Sequence, residues 1–304
     1  MERNVIFRPA YNRPEMLQLS IDHEIEARNI AGIQQNEYLT YFLLEYDAPK
    51  KVLEIAHSYP FAAKYRYRKR WWRPPAKRRY GITRNLLQGM KEGFRKARNH
   101  AIVIEDDILL HYSFFQYVKK LQSLPDLKNY SVLLALGSNE NGDCSAISIA
   151  HHDYSPLAPV INKAFWKKYL KQFSNFRYYQ NRNKTIIKLN QKYHSYWKNG
   201  YKFKDSKTYN NHDGLINRLV DAAFIEDGMV VVTPEVSRQI HIGVYGLNTK
   251  GMLIPGNDYS ERLQNLKKII ADNRLNEYTK STILSFNGFS PQLESWNGRL
   301  FIKQ

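Results

Sequence analysis

Short apolar runs alternate with amphipathic stretches through the first 140 residues. Residues 4–10, centred on Val5-Ile6-Phe7, read as a first strand. Residues 11–15 form a turn in which Pro14 suits the first turn of a helix and Glu15 suits its positive end. Met16, Leu17, Leu19 and Ile21 then supply a helical apolar face. Residues 38–44 predict a second strand, closed by Glu45-Tyr46-Asp47-Ala48-Pro49, and a helix follows over 49–58. Leu86, Leu87, Met90 and Phe94 mark a helix from 84 to about 98, which leads into an apolar strand from Ala101. Phe114, Phe115 and Val118 predict another helix, and 131–136 another strand, before the loop 137–142. This alternation argues for an α/β layer built on a mostly parallel sheet. Further on, 178–209 is polar and rich in Lys, Asn and Tyr, and reads as an insertion or a surface helix pair. Residues 228–234 predict a late strand, and Leu263, Leu266, Ile269 and Ile270 an amphipathic helix in a weakly patterned tail.

One run breaks the pattern in an informative way. Ile102-Val103-Ile104 is followed by Glu105-Asp106-Asp107 and then by Ile108-Leu109. A short apolar run of this kind reads as a buried strand. An unpaired buried carboxylate is costly, so three acids at such a strand's C-terminal end suggest a site that meets a cation. Mg²⁺ and Mn²⁺ prefer oxygen ligands, and open α/β sheets bind ligands at that same edge. A strand ending in a solvated acidic turn is the plainer alternative.

Composition narrows the classes. The single cysteine, Cys144, excludes an intramolecular disulfide and a Cys-based zinc site, which fits a reducing, cytoplasmic setting. No stretch approaches the roughly 20 apolar residues of a membrane span, and the start of the chain lacks an apolar signal segment. The formal charge of +18 implies affinity for polyanions: nucleic acid, anionic lipid or a phosphorylated substrate. Much of that charge lies in 64–80, KYRYRKRWWRPPAKRRY, where basic and aromatic residues interleave. Trp71 and Trp72 could stack bases, sit at a lipid headgroup interface, or belong to a solvated loop whose arginines hold a diphosphate. No Walker A, HExxH or GxSxG motif is present, nor a GxGxxG after the first strand.

Two later segments carry candidate chemistry. Asn211-His212-Asp213-Gly214 precedes an apolar helix, where Asp213 is a natural N-cap. Residues 233–243 run through Pro234-Glu235-Val236-Ser237-Arg238 to Ile240-His241-Ile242, ahead of a glycine-containing loop to Gly251 that could close over a nucleotide. His241, in a strand-like setting, reads as half buried and inert.

Taken together these pieces resemble the GT-A glycosyltransferases. The opening strand with Tyr11-Asn12-Arg13-Pro14 looks like their start. Glu105-Asp106-Asp107 followed by Phe114-Phe115 resembles the acidic motif of N-acetylglucosaminyltransferase I and its relatives, and family 2-like enzymes are similar. Asn139-Glu140-Asn141-Gly142 and Pro234-Glu235-Val236-Ser237-Arg238 are similar to that family's N-D-N-G and P-E-I-S-R segments, in its order. The resemblance implies a GT-A, Rossmann-like domain over 1–255. Its nucleotide-sugar half would span 1–140, its acceptor half 141–255, and a C-terminal helical and loop extension 256–304. It implies a metal-dependent, inverting glycosyltransferase using a nucleotide-sugar, UDP-linked, and a glycan or lipid-linked acceptor. Asp107 would hold Mn²⁺ or Mg²⁺. Arg13, Asp47, Asn85, Glu105 and Asp106 would contact the donor, Asp47 at the uracil. Asp213 would be the catalytic base, aligned with the acid of the family's W-D-D-W segment, which reads His212-Asp213-Gly214-Leu215 here. The expected location is cytoplasmic, with docking on the inner face of an anionic membrane. The rival expectations are a nucleic-acid or polyanion-binding protein and a GT-A domain that binds nucleotide without catalysis.

Overall fold

Val5, Ile6 and Phe7 are all fully buried although their side chains alternate between the two faces of a strand. Both faces of the sheet are therefore covered, as the unbroken apolar runs require. In the computed structural model the described residues are 3–67, 79–139, 142–150, 154–175, 181–193, 212–241, 261, 264, 265, 268, 293 and 296–303. The chain order is β1 (Arg3–Ala10), α1 (Pro14–Ile30), β2 (Tyr38–Leu44), α2 (Lys50–His57), β3 (Ala63–Tyr67), α3 (Arg79–Gly93), β4 (Ala97–Val103) and β5 (Ile108–Leu110). Then follow α4 (Phe114–Ser123), β6 (Tyr130–Leu133), β7 (Ala146–Ala150), β8 (Val160–Asn162), α5 (Arg182–Lys192), α6 (His212–Asp227), β9 (Val230–Pro234), β10 (Gln239–His241) and β11 (Phe301–Ile302).

Among the described residues nine strands form one sheet in the order β11-β7-β9-β6-β8-β4-β1-β2-β3, and β5 and β10 form a separate ribbon. The β3-β2-β1-β4 block is parallel, with β8 antiparallel to both β4 and β6. The expected α/β class, a mostly parallel central sheet flanked by helices, is what the protein has. One core layer joins Val5, Phe7 and Val103 to α3 and α6; the other joins Ile6, Ile102 and Ile104 to α4. Among the described residues no helix is long and apolar enough to cross a membrane.

The structure departs from the sequence pattern in two places. The third helix ends at Gly93, not near residue 98, because β4 begins at Ala97 to pair with Arg3. Gly93 lies so close to the rings and methyls of Phe7 and Val5 that a Cβ there would collide with them. Phe94 then stacks on Trp166, centroids 4.7 Å apart. The chain's end, weakly patterned in sequence, adds β11 to the sheet edge beside β7. Much of 178–209, the tail helix and the loop 243–251 lie outside the described residues, as does 68–78 of the basic–aromatic stretch.

Between β1 and α1 lies a fully buried charge network that the apolar pattern conceals. Arg8 donates from Nε to Glu24 Oε2 at 2.7 Å, and Arg28 donates from Nη2 to Glu24 Oε1 at 2.6 Å. Tyr59 donates to the same Oε1 at 2.6 Å. Arg28 also sits over the Phe61 ring at 4.3 Å. Burial opposes ionisation of Glu24, but Arg8 and Arg28 outweigh it and hold the carboxyl below its ordinary range. Replacing one partner of such a network leaves uncompensated charge. Glu24→Gln should therefore cost about 3–5 kcal/mol in denaturant unfolding; a loss under 1 kcal/mol contradicts the network's role.

His100 is fully buried, and burial lowers its pKa to about 3. Its Nδ1 accepts from Gln122 at 2.6 Å, and its Nε2 lies 3.1 Å from the Tyr38 hydroxyl, a fit for a neutral ring. The unfolded chain takes up this proton below the ordinary value of 6.5 while the folded chain does not. Stability is thus complete above that pH and falls as the pH drops toward 3, by at most about 1.4 kcal/mol per pH unit. Unfolding free energies across pH 5–7 should show this slope, and His100→Gln should flatten it; an unchanged slope in the variant removes His100 from the account.

Candidate functional site

The chain leaves β1 toward β2 and β3 on one side and returns to β4 on the other. The strand order reverses between β1 and β4, and a crevice opens at such a point beyond the strands' C-terminal ends. Arg13 follows β1 there, and Glu105-Asp106-Asp107 follow β4. Ile104 N donates to Phe7 O at 2.9 Å, carrying the β4 register one residue past the strand. Ile108 N then donates to Glu105 O at 3.3 Å and closes the acidic turn. From beneath, Ser20 of α1 donates to Ile108 O at 2.5 Å while accepting from Arg8 Nη1 at 3.0 Å. The buried network therefore supports the floor of the crevice.

Arg13 precedes α1 and forks across the two aspartates. Its Nη1 lies 2.5 Å from Asp107 Oδ2, and its Nη2 is hydrogen-bonded to Asp106 Oδ1. Both aspartates are buried. The second neighbour of Asp107 was not expected: His241 Nε2 lies 3.0 Å from the same Oδ2. The β5–β10 ribbon explains this. Its register sets His241 opposite Ile108, the residue next to Asp107. His241 is thus exposed rather than half-buried and reaches Asp107, and the one usable clue in the sequence was a histidine ending a short strand that follows Pro234 and Ser237. Asp107 Oδ1 is buried without a hydrogen-bond partner among the described residues.

Electrostatics separates the two aspartates. Burial and the adjacent Asp107 charge push Asp106 upward despite Arg13. Burial acts the same way on Asp107, but its hydrogen bond to His241 and the charge of Arg13 prevail and hold it below the ordinary range. Burial works against the Arg13 charge too, and the neighbouring carboxylates more than offset it. One guanidinium is shared between the two carboxylates.

The other candidates are dispersed around this centre. Glu105 is half-buried, its carbonyl tied into the turn. Asp47 is exposed beyond β2 and accepts from the Tyr11 hydroxyl at 3.3 Å. Asn85 is buried, donates to Leu44 O at 3.3 Å at the end of β2, and leaves its own Oδ1 unpartnered. Asp213 begins α6, although its side chain lies outside the described residues. α6 leads within a few residues into β9, which is parallel to β6 and hence to β4. The start of α6 is thereby brought to the sheet edge that carries the acidic turn.

The segment that delivers His241 is clamped from outside. Glu235 accepts from Asp143 N at 3.2 Å and from Lys303 Nζ at 2.7 Å, and its backbone carbonyl accepts from Asn139 N at 2.9 Å. Gly137 lies so close to the 235–237 backbone that any side chain would collide. Arg238 is fully buried, with Nη1 2.8 Å from Ser113 Oγ and its guanidinium 4.4 Å from the Trp296 ring. Among the described residues it makes no salt bridge, and burial lowers its pKa to about 10. His111 N donates to Arg238 O at 2.9 Å, fixing the ribbon that pairs His241 with Ile108.

Among the described residues no group of three or more Asp, Glu, His or Cys side chains is gathered that could hold a metal ion. Asp107 and His241 bring two side chains of ligand type within 3.0 Å of each other. Mg²⁺-like ions commonly take only one or two carboxylates and complete their shell with water and substrate phosphates. The unpartnered Asp107 Oδ1 fits that requirement.

No family model matches the chain, and no curated protein matches it. Solved structures similar to it include S. aureus TarS 1-349, at 10% identity and TM-score 0.44 over 97% of this chain and 77% of that one. Mouse xyloside xylosyltransferase 1 in its apo form shows 9% identity and TM-score 0.42 over 76% of this chain and 84% of that one. The mannosyltransferase PcManGT from Pyrobaculum calidifontis, solved with GDP-Man and Mn²⁺, shows 7% identity and TM-score 0.39 over 97% and 83%.

Proposed function

We propose that this protein is a metal-dependent glycosyltransferase of GT-A type that moves a sugar from a nucleotide-sugar donor to an acceptor hydroxyl. The observation that carries this reading is the acidic turn at the β1/β4 reversal, where Asp107 keeps one buried carboxylate oxygen unpartnered and shares the other with His241 and Arg13. The ordered resemblance of the four sequence motifs to GT-A enzymes supports it as well. Asp107 and His241 would hold Mn²⁺ or Mg²⁺. When bound, that ion supplies positive charge to the departing diphosphate.

The chain's own residues do the rest. Arg13, at the mouth of the crevice, pairs with diphosphate oxygens. Asp47, exposed beyond β2, faces the base of the nucleotide, which we take to be uracil. Glu105 and Asp106 meet the sugar and ribose. Asn85 braces the end of β2 beside them. Transfer inverts the anomeric centre: the acceptor oxygen bonds to the anomeric carbon as the bond from that carbon to the diphosphate breaks. Asp213 takes the acceptor's proton, for which the start of α6 at this edge is a suitable place. The acceptor is a glycan or a lipid-linked sugar, and the basic–aromatic stretch suits work beside an anionic membrane.

Two variants test the assignment. Asp213→Asn should bind UDP and Mn²⁺ normally while transfer falls by about 10²–10⁴-fold, read by product mass with a panel of UDP-sugars. Asp107→Ala should lose the Mn²⁺-dependent part of UDP binding, read by thermal shift. Normal transfer by Asp213→Asn removes it as the base. If binding proves salt-steep toward polyanions and indifferent to metal and nucleotide, the glycosyltransferase reading fails and a polyanion-binding protein replaces it. Donor and metal binding without any turnover would leave a nucleotide-binding domain instead.

A further inference from the structure

We infer that Arg13 is a built-in placeholder for the divalent ion: its guanidinium neutralises Asp106 and Asp107 in the metal-free protein, then releases Asp107 to the ion and turns to the donor's diphosphate. The inference rests on the metal-dependent reading above and assigns Arg13 a second partner within it.

The geometry supplies the argument. A guanidinium can dock both of its terminal nitrogens on one carboxylate. Arg13 instead spends one on each aspartate, Nη1 on Asp107 Oδ2 and Nη2 on Asp106 Oδ1. It thereby does what an ion between two carboxylates does, with a single positive charge. Asp107 Oδ2 also faces His241 Nε2 at 3.0 Å, so two N–H groups occupy the oxygen nearest the histidine. A carboxylate oxygen has two lone pairs, and both are engaged. An ion that His241 Nε2 coordinates replaces that nitrogen's N–H on Oδ2, and its two positive charges, set on the carboxylate that Arg13 already neutralises, repel the guanidinium. The remaining oxygen, Oδ1, is buried and unpartnered, and so is open to the ion.

Arg13 is built to leave. Its side chain is 15% exposed, whereas Arg8 and Arg28 beneath it are sealed at 0%. It sits at the non-helical N-cap of α1, with φ −124° and ψ 67°, and no side-chain hydrogen bond caps that helix. Once an ion supplies charge to the aspartates, the arginine's charge is in excess there. A diphosphate in the crevice gives it a new anion, so metal and nucleotide each help the other to bind.

The test is Mn²⁺ titration of the full chain by electron paramagnetic resonance, with and without UDP, for the wild type, Arg13→Gln and Arg13→Lys. Without UDP, Arg13→Gln should bind Mn²⁺ about tenfold tighter than the wild type, equivalent to about 1.4 kcal/mol. Arg13→Lys, a point charge that cannot fork, should lie between. With UDP, the gain in Mn²⁺ affinity that the nucleotide gives the wild type should shrink by about tenfold in Arg13→Gln. A merely structural arginine predicts the opposite sign, with weaker Mn²⁺ binding in both conditions. If the wild type binds Mn²⁺ with UDP but Arg13→Gln binds Mn²⁺ alone no tighter, the placeholder is wrong and the metal reading stands. If the wild type binds no Mn²⁺ with or without UDP, both are overturned.

Discussion

Two carboxylates buried side by side must share a positive charge, and the crevice of this protein is organised around that need. Asp106 and Asp107 sit past the last hydrogen-bonded position of β4, where Asp106 takes a backbone hydrogen bond from Tyr11. Arg13 supplies one charge from the end of β1. His241 adds a hydrogen bond from a separate ribbon. The balance is incomplete, since two carboxylates face one guanidinium, and an incompletely compensated acidic site in a low-dielectric pocket attracts cations. The proposed chemistry depends on that imbalance, because a divalent ion held there can meet a diphosphate at the sheet edge.

Holding such a site needs a rigid frame, and the frame is itself polar. Arg8, Glu24 and Arg28 fill the space between β1 and α1, where an ordinary core would place apolar side chains. Ser20 couples this network to the acidic turn through Ile108 O. On the other side, Glu235 and Arg238 lock the ribbon that carries His241, and the chain's end, through Trp296 and Lys303, locks Glu235 and Arg238 in turn. Displacement in any of these elements moves a group that touches Asp107. A lost hydrogen bond here is therefore felt as a misplaced ligand as well as a loss of stability.

The parallel block was legible in the sequence because its strands are buried on both faces and read as unbroken apolar runs. The acid triplet was legible because carboxylates are rare where such a run ends. The Arg13 turn and the segment through Arg238 were legible by resemblance. His241 was not, since its role arises from strand register: a three-residue ribbon sets it opposite Ile108, and nothing local to 239–241 announces that pairing. The Arg8–Glu24–Arg28 network was hidden because its members occupy positions that look like ordinary strand and helix faces, the bonded pairs lying sixteen and four residues apart. The strand at 301–302 was hidden because two residues carry no periodicity and its pairing is long-range.

The central claim is that Asp107 and His241 share one divalent ion at the β1/β4 crevice. Its most direct test is a crystal of the full chain grown with UDP and Mn²⁺, with anomalous diffraction recorded at the manganese edge. The account predicts one strong anomalous peak within coordination distance of a carboxylate oxygen of Asp107 and of His241 Nε2, about 2.0–2.3 Å away, with Arg13 turned to the diphosphate. An anomalous map with no peak at Asp107, with UDP bound and Arg13 still bridging Asp106 and Asp107, would contradict it.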